Sequence, residues 1–174
     1  MLIAVCGAAP GVGKSTVCAG LARRLAETGL RVDNFAEEEI LTRPQFAEVA
    51  GHFRATGRVE PAMLLATASR FAGSVLAAGV DVVVADAMVP FVPSLLAMGC
   101  GDEAVRAFVA ELTKLLAPVQ PVLVFLDGDP GTALARAAER EGPEWLAWYT
   151  DKLARYGLAP EAGDLAAAAA YLDH

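Results

Sequence analysis

The sequence predicts an α/β fold, a parallel sheet of four to five strands flanked by helices in three layers. Short apolar runs alternate with amphipathic stretches along the chain, the pattern of strands covered by helices. Val82, Val83 and Val84 stand in a row, as in a strand buried on both faces. The 174 residues are 55% hydrophobic, enough for one core, so a single domain is expected over 1–174.

Each element follows from period and punctuation. Leu2 to Cys6 is strand-like, and Lys14 to Glu27 is helical, with Val17, Leu21 and Leu25 on one face. Arg31 to Ala36 is a second, weaker strand. Helical stretches run about Pro44 to Thr56 and Glu60 to Ala78, interrupted by Gly57. Asp81 to Ala85 is the most β-rich run, and Asp86 sits at its end. After a Pro-broken loop, Asp102 can cap a helix whose Val105, Phe108, Val109, Leu112 and Leu116 form one stripe. Pro121 to Leu126 is the fourth strand. Asp129 suits an N-cap and Pro130 the first helical position of the next helix. Gly142 and Pro143 then separate a helix carrying Trp145, Trp148, Tyr149, Leu153 and Tyr156, and Ala166 to Ala170 reads as a helical turn or two.

Charge narrows the partners. With 14 Lys+Arg against 21 Asp+Glu and a formal charge of -7, the chain is poorly suited to duplex nucleic acid or an anionic membrane. A small-molecule partner is expected, with no nucleic acid and no membrane. The longest uncharged run, Ala87 to Gly101, is broken by Pro90 and Pro93, whereas a membrane span needs roughly 18 or more apolar residues. The N-terminus lacks the basic segment and long apolar stretch of a secretory signal. Cys6, Cys18 and Cys100 show neither CxxC spacing nor a His partner, and read as reduced thiols of a cytoplasmic protein.

The strongest signal is Ala8-Ala9-Pro10-Gly11-Val12-Gly13-Lys14-Ser15, which follows a strand and opens a helix. It matches a phosphate-binding loop with Ala8 in the first position, where glycine is commoner. Small residues let successive backbone N–H groups curl around a β-phosphate, and the helix N-terminus adds a favourable dipole. Lys14 would reach the β- and γ-phosphates, and the Ser15 hydroxyl would sit on Mg²⁺. The nucleotide-contacting stretch is thus Ala9, Pro10, Gly11, Val12, Gly13, Lys14, Ser15 and Thr16, with ATP and Mg²⁺ as cofactors. Neither Asn-Lys-x-Asp nor Asp-x-x-Gly occurs, which argues against a GTPase. The signature segment of transport ATPases is missing as well, so small-molecule kinases remain.

The order of that loop, then Leu64-Leu65-Ala66-Thr67-Ala68-Ser69-Arg70, then Val82-Val83-Val84-Ala85-Asp86, then an Arg-bearing helix from Asp129 to Glu141 resembles the thymidylate kinase and deoxynucleoside kinase group. The resemblance implies a three-layer P-loop NTPase fold with a lid region at about 129–156. It implies that Arg70 serves the acceptor site and that Asp86 orients or deprotonates the attacking hydroxyl or holds Mg²⁺. It also implies that Arg136 and Arg140 close over the transferring phosphoryl group. Among Glu37, Glu38 and Glu39, one is expected to meet the acceptor hydroxyl. A homodimer formed through helices is a further expectation of the family.

Arg136 and Arg140 are four apart and share a helix face, from which guanidiniums can stabilise charge on the equatorial oxygens. Arg43 could bind an anionic acceptor or pair with the acidic run. Asp127 and Asp129 are tempting metal ligands, but Asp129 is better explained as a cap. The apolar stretch Met88 to Met98, with Phe91, could line an acceptor pocket.

Ala87 and Met88 stand where thymidylate kinases carry an Arg, and this favours a nucleoside-like or antibiotic-like hydroxyl acceptor over a nucleotide. The alternatives are a thymidylate-type monophosphate kinase, a nucleotide-binding regulatory protein without transfer activity, and a chloramphenicol-phosphotransferase-like kinase.

Overall fold

The computed structural model describes residues 1–7, 9–86, 95, 98–155 and 164–172. The chain forms two compact units, Met1–Val5 with Ser15–Val124, and Cys6–Lys14 with Phe125–His174.

The chain forms a parallel sheet. Its strands are β1 (Leu2–Gly7), β2 (Val32–Phe35), β3 (Val82–Ala85) and β4 (Pro121–Leu126), lying in the spatial order β2-β3-β1-β4. β3 pairs with β1 through Leu2 to Val83, Ile3 to Val84 and Ala4 to Ala85, and with β2 from Val32 opposite Val82 to Phe35 opposite Ala85. All four residues of β3 are buried, as a strand hydrogen-bonded on both edges and covered on both faces requires.

The helices that follow the sequence are α1 (Lys14–Glu27), α2 (Ala47–Thr56), α3 (Pro61–Ala77) and α4 (Asp102–Leu116). Two 3₁₀ turns, Glu37–Leu41 and Pro44–Phe46, come before α2, so the helix expected from Pro44 starts later. Gly57, at φ 69°, ends α2 in the left-handed region that a side chain would resist, and Pro61 opens α3.

Three phenyl rings centre the core. Phe35, Phe46 and Phe71 meet with centroids 5.2, 5.3 and 5.8 Å apart in tilted pairs, each worth about 0.5–1.5 kcal/mol beyond area burial. Leu64, Ala68, Phe108, Leu116 and Val119 pack in the same cluster.

The expectations for α4 need correction. Gly101, not Asp102, is the N-cap of α4, and Val109 of its apolar stripe is 41% exposed. β4 is an edge strand with Val122, Leu123 and Phe125 between 46% and 64% exposed, so its two apolar faces are not both covered.

The second unit holds the loop from Cys6 to Lys14, α5 (Pro130–Glu141), α6 (Pro143–Arg155) and α7 (Leu165–Leu172). Asp129 caps α5 by accepting the Thr132 N–H at 2.6 Å, and Gly142 at φ 89° ends it. Leu134, Tyr149, Leu153 and Ala168 form the core of this unit. Trp145 stacks flat on Tyr149 at 5.1 Å, while Trp148 faces solvent with Lys152 over its ring. Ala166 to Ala170 lies within α7, and Tyr156 lies outside the described residues.

Candidate functional site

In the first unit the site grows from the C-terminal ends of β3 and β2, the edge of a parallel sheet where ligands collect. Asp86 follows the last residue of β3, and its backbone N–H donates to the Phe35 carbonyl at 3.3 Å. The Ser15 hydroxyl, on the first turn of α1, donates to Asp86 Oδ2 at 2.8 Å. Asp86 is 2% exposed, and its second oxygen, Oδ1, is buried with no hydrogen-bond partner among the described residues. Leaving a buried acceptor unmet costs on the order of 1–3 kcal/mol, so this oxygen is poised for a donor or a cation.

Beyond β2 the chain turns through Glu37, Glu38 and Glu39. Glu37 and Glu38 are exposed, and Glu39 accepts from Arg43 Nε at 2.6 Å. Both terminal nitrogens of Arg43 donate to Asp33 at 2.6 and 2.8 Å, and its guanidinium lies 4.4 Å above the Phe35 ring. The Asp33 hydrogen bond, with Glu39 behind it, raises the Arg43 pKa against the opposing effect of burial. Arg43 therefore pairs with the acids around it, one of the two roles expected of it.

Arg70, on α3, is likewise committed: to Thr67 Oγ1 at 3.0 Å, to Glu48 at 3.0 Å and to the Gln45 carbonyl at 3.4 Å. The Oε1 of Gln45 is a second buried oxygen with no partner among the described residues. Phe91 and Ala8 lie outside the described residues.

In the second unit the loop is shaped by its glycines. Gly11 takes φ 83° and Gly13 φ 104°, the left-handed region that favours glycine. A Cβ on Gly11 would collide with the Ala133 carbonyl oxygen of α5, whereas one on Gly13 would meet nothing within 4 Å. Gly7 is also confined, though less tightly, since a Cβ there would stand 2.6 Å from Val12 Cγ1 and 3.1 Å from the Leu126 oxygen. Ala9 is buried, whereas Pro10, Gly11, Val12, Gly13 and Lys14 are half-buried. Burial pushes the Cys6 thiol up, partly offset by the Lys14 charge, which keeps it a protonated structural thiol.

A pocket of about 270 Å³ opens here, lined by Val12, Asp127, Gly128, Asp129, Thr132, Ala133 and Arg136. Arg136 thus joins the pocket wall. Arg140 does not line it, and pairs with its neighbour Glu141 at 2.7 Å. Asp129 spends one carboxylate oxygen on its cap, as expected.

Among the described residues no group of three or more His, Cys, Asp or Glu side chains is gathered as a metal cage. Ser15 and Asp86 supply two oxygen donors, the ligand chemistry that a hard divalent cation takes when phosphate oxygens complete its shell. Asp33 and Gln45 were not foreseen as part of this region. A charge inside a short strand is the one signal Asp33 offers, and Gln45 offers none.

The fold is that of an α/β protein with a four-stranded parallel sheet flanked by helices. No family profile matches the chain, and no curated protein matches it. Among solved structures, one titled "Crystal structure of APE1195" is similar at a TM-score of 0.52 and 19% identity, over 93% of this chain and 78% of that one. This likeness is one of architecture. Among the described residues no helix is long and apolar enough to cross a membrane.

Proposed function

We propose that this chain is a P-loop small-molecule kinase, resembling the thymidylate and deoxynucleoside kinase group, that transfers the γ-phosphoryl group of ATP to a hydroxyl. The observation that carries the reading is the pair formed by Ser15 and the buried Asp86, with Oδ1 of Asp86 left unmet. Supporting it in the sequence, Ser15 follows Lys14 directly after two glycines that adopt positive φ, the order of residue types a phosphate-binding loop uses.

In this reading the loop amides and Lys14 hold the β- and γ-phosphates. Ser15 and Asp86 would hold Mg²⁺, which supplies charge neutralisation when bound. The acceptor oxygen bonds to the γ-phosphorus as the bond to the β,γ-bridging oxygen breaks, and ADP departs. The proton of the acceptor hydroxyl passes to a carboxylate of the acidic run, with Glu37 and Glu38 the candidates. Arg136 answers the charge that spreads over the equatorial oxygens. Three cysteines without a disulfide suit a reducing, cytoplasmic setting.

The test is acceptor-dependent ADP release from Mg-ATP by the wild type and by Lys14→Ala, across nucleosides, nucleoside monophosphates and hydroxylated antibiotics. Release abolished in the variant is the expected result. A second reading, a nucleotide-binding regulatory protein, draws on the exposed Val122, Leu123 and Phe125 of β4 and on exposed Trp148, apolar surface suited to a protein partner. Tight ATP binding without turnover on any acceptor would favour it.

A further inference from the structure

The two edges of the sheet differ in kind. β2, on one side, is four residues long and carries Asp33, whose carboxylate is paired with Arg43. β4, on the other, runs for six residues, and no charge stands anywhere from Leu115 to Leu126. Its outer edge has no strand beside it among the described residues. Sheets commonly blunt such an edge with charge, proline or a bulge, because its open N–H and C=O groups invite another strand. The one proline of β4, Pro121, is its first residue and leaves the rest of the edge able to pair. Val122, Leu123 and Phe125 are all exposed.

This strand is complementary to itself. Alternation puts Leu123 and Phe125 on one face of the sheet and Val122, Val124 and Leu126 on the other. Two copies pairing antiparallel about a two-fold axis normal to the sheet keep their faces, so each residue opposes one from its own face. With the axis at Val124, Leu123 of each copy opposes Phe125 of the other, and Val122 opposes Leu126. Every exposed apolar side chain of the strand then meets an apolar one at cross-strand distance.

Charge sets the direction of pairing. Asp127 and Asp129 follow the strand and are exposed. A parallel arrangement would set the two Asp127 residues side by side, on strands about 5 Å apart. The antiparallel register separates them by about 20 Å, well beyond the screening length of about 8 Å at physiological salt. For a chain with a formal charge of -7, an uncharged strand is also where two copies approach with least repulsion.

We propose that β4 is a homodimerisation edge, at which the β4 strands of two copies pair antiparallel around Val124 and join their sheets into one. The pairing requires neither nucleotide nor acceptor, and so stands apart from the kinase reading. It also differs from a dimer formed through helices, which would leave the apolar edge bare.

The test is analytical ultracentrifugation of the full chain, without nucleotide, from micromolar to submillimolar concentration. Wild type is expected to pass from monomer to dimer. Leu123→Lys, at an exposed position, sets a charge against Phe125 of the second copy and is expected to weaken association at least tenfold. Cross-linking reads the register. With oxidised glutathione, Val124→Cys is expected to give a disulfide-linked dimer, since its two copies face each other. Val122→Cys is not, because its two copies lie about 13 Å apart in this register. Cys6, Cys18 and Cys100 are present in every protein, so wild type is the control.

A chain that stays monomeric throughout would overturn the proposal and leave the edge to a strand of a different protein. A dimer that folded Leu123→Lys does not weaken would overturn it too, as the mark of another face. Cross-linking through Val122→Cys in preference to Val124→Cys would do the same. Should Leu123→Lys fail to fold, wild-type association and the two cysteine variants decide.

Discussion

Ser15 and Asp86, 71 residues apart in the chain, are joined by a 2.8 Å hydrogen bond from the hydroxyl to the carboxylate. A serine on the first turn of a helix and an aspartate at the end of a buried strand thereby become a pair of oxygen donors. The other carboxylate oxygen has no partner among the described residues.

Removing either partner should separate metal use from folding. Asp86→Asn is expected to lower the apparent Mg²⁺ affinity in nucleotide binding about 10–100-fold, the range for groups that hold or orient metal ligands. Ser15→Ala should cost stability as well, because it strips the one described partner from a buried carboxylate. Nucleotide binding measured across a Mg²⁺ series, beside thermal unfolding, checks both. Unchanged Mg²⁺ dependence in both variants would refute the assignment.

Lys14→Ala should leave the fold intact, since Lys14 forms no ion pair among the described residues. It should abolish nucleotide binding at micromolar ATP. Circular dichroism and ATP calorimetry on the same sample give the two halves of the answer.

Gly11→Ala and Gly13→Ala should differ in degree. Both force a side chain into positive φ, a strain of about 1–2 kcal/mol. Gly11→Ala must in addition move α5, because its Cβ would meet the Ala133 carbonyl, while Gly13 has open space around it. Chemical unfolding is expected to rank Gly11→Ala clearly below Gly13→Ala, and equal losses would contradict the packing of the loop on α5.

The Asp129 cap predicts an acid-side dependence. The Thr132 hydrogen bonds hold the Asp129 carboxyl below its ordinary range. A carboxyl depressed in the folded state stabilises above its unfolded pKa and loses that contribution as pH falls through the lower folded value. Asp129→Asn keeps a capping side chain but cannot titrate, so it should flatten the loss of stability below about pH 4 without lowering stability at neutral pH. Thermal unfolding from pH 7 down to pH 3 reads this.

Much of the architecture was legible in local chemistry. The valine row of β3, the helix opened at Lys14, the break at Gly57 and the Asp129-Pro130 cap each depend on neighbours in the chain, which period and side-chain type encode directly. The strand-end position of Asp86 was legible for the same reason. The sequence by itself thus determined which elements form and which residues stand at their ends.

Only the tertiary structure decided what those end residues meet. The neutralisation of Arg43 by Asp33 and of Arg70 by Glu48 depends on β2 and the 3₁₀ turns folding back together, and on α2 meeting α3. The same holds for the division of Arg136 from Arg140, which helical spacing places on one face but which packing sends to a pocket wall and to Glu141. The exposure of β4 was equally out of reach, because an apolar run records affinity for burial but not whether anything covers it. The pairs of Arg43 with Asp33 and of Arg70 with Glu48 join residues distant in the chain, and no local pattern carries that information, whereas Arg140 and Glu141 are neighbours.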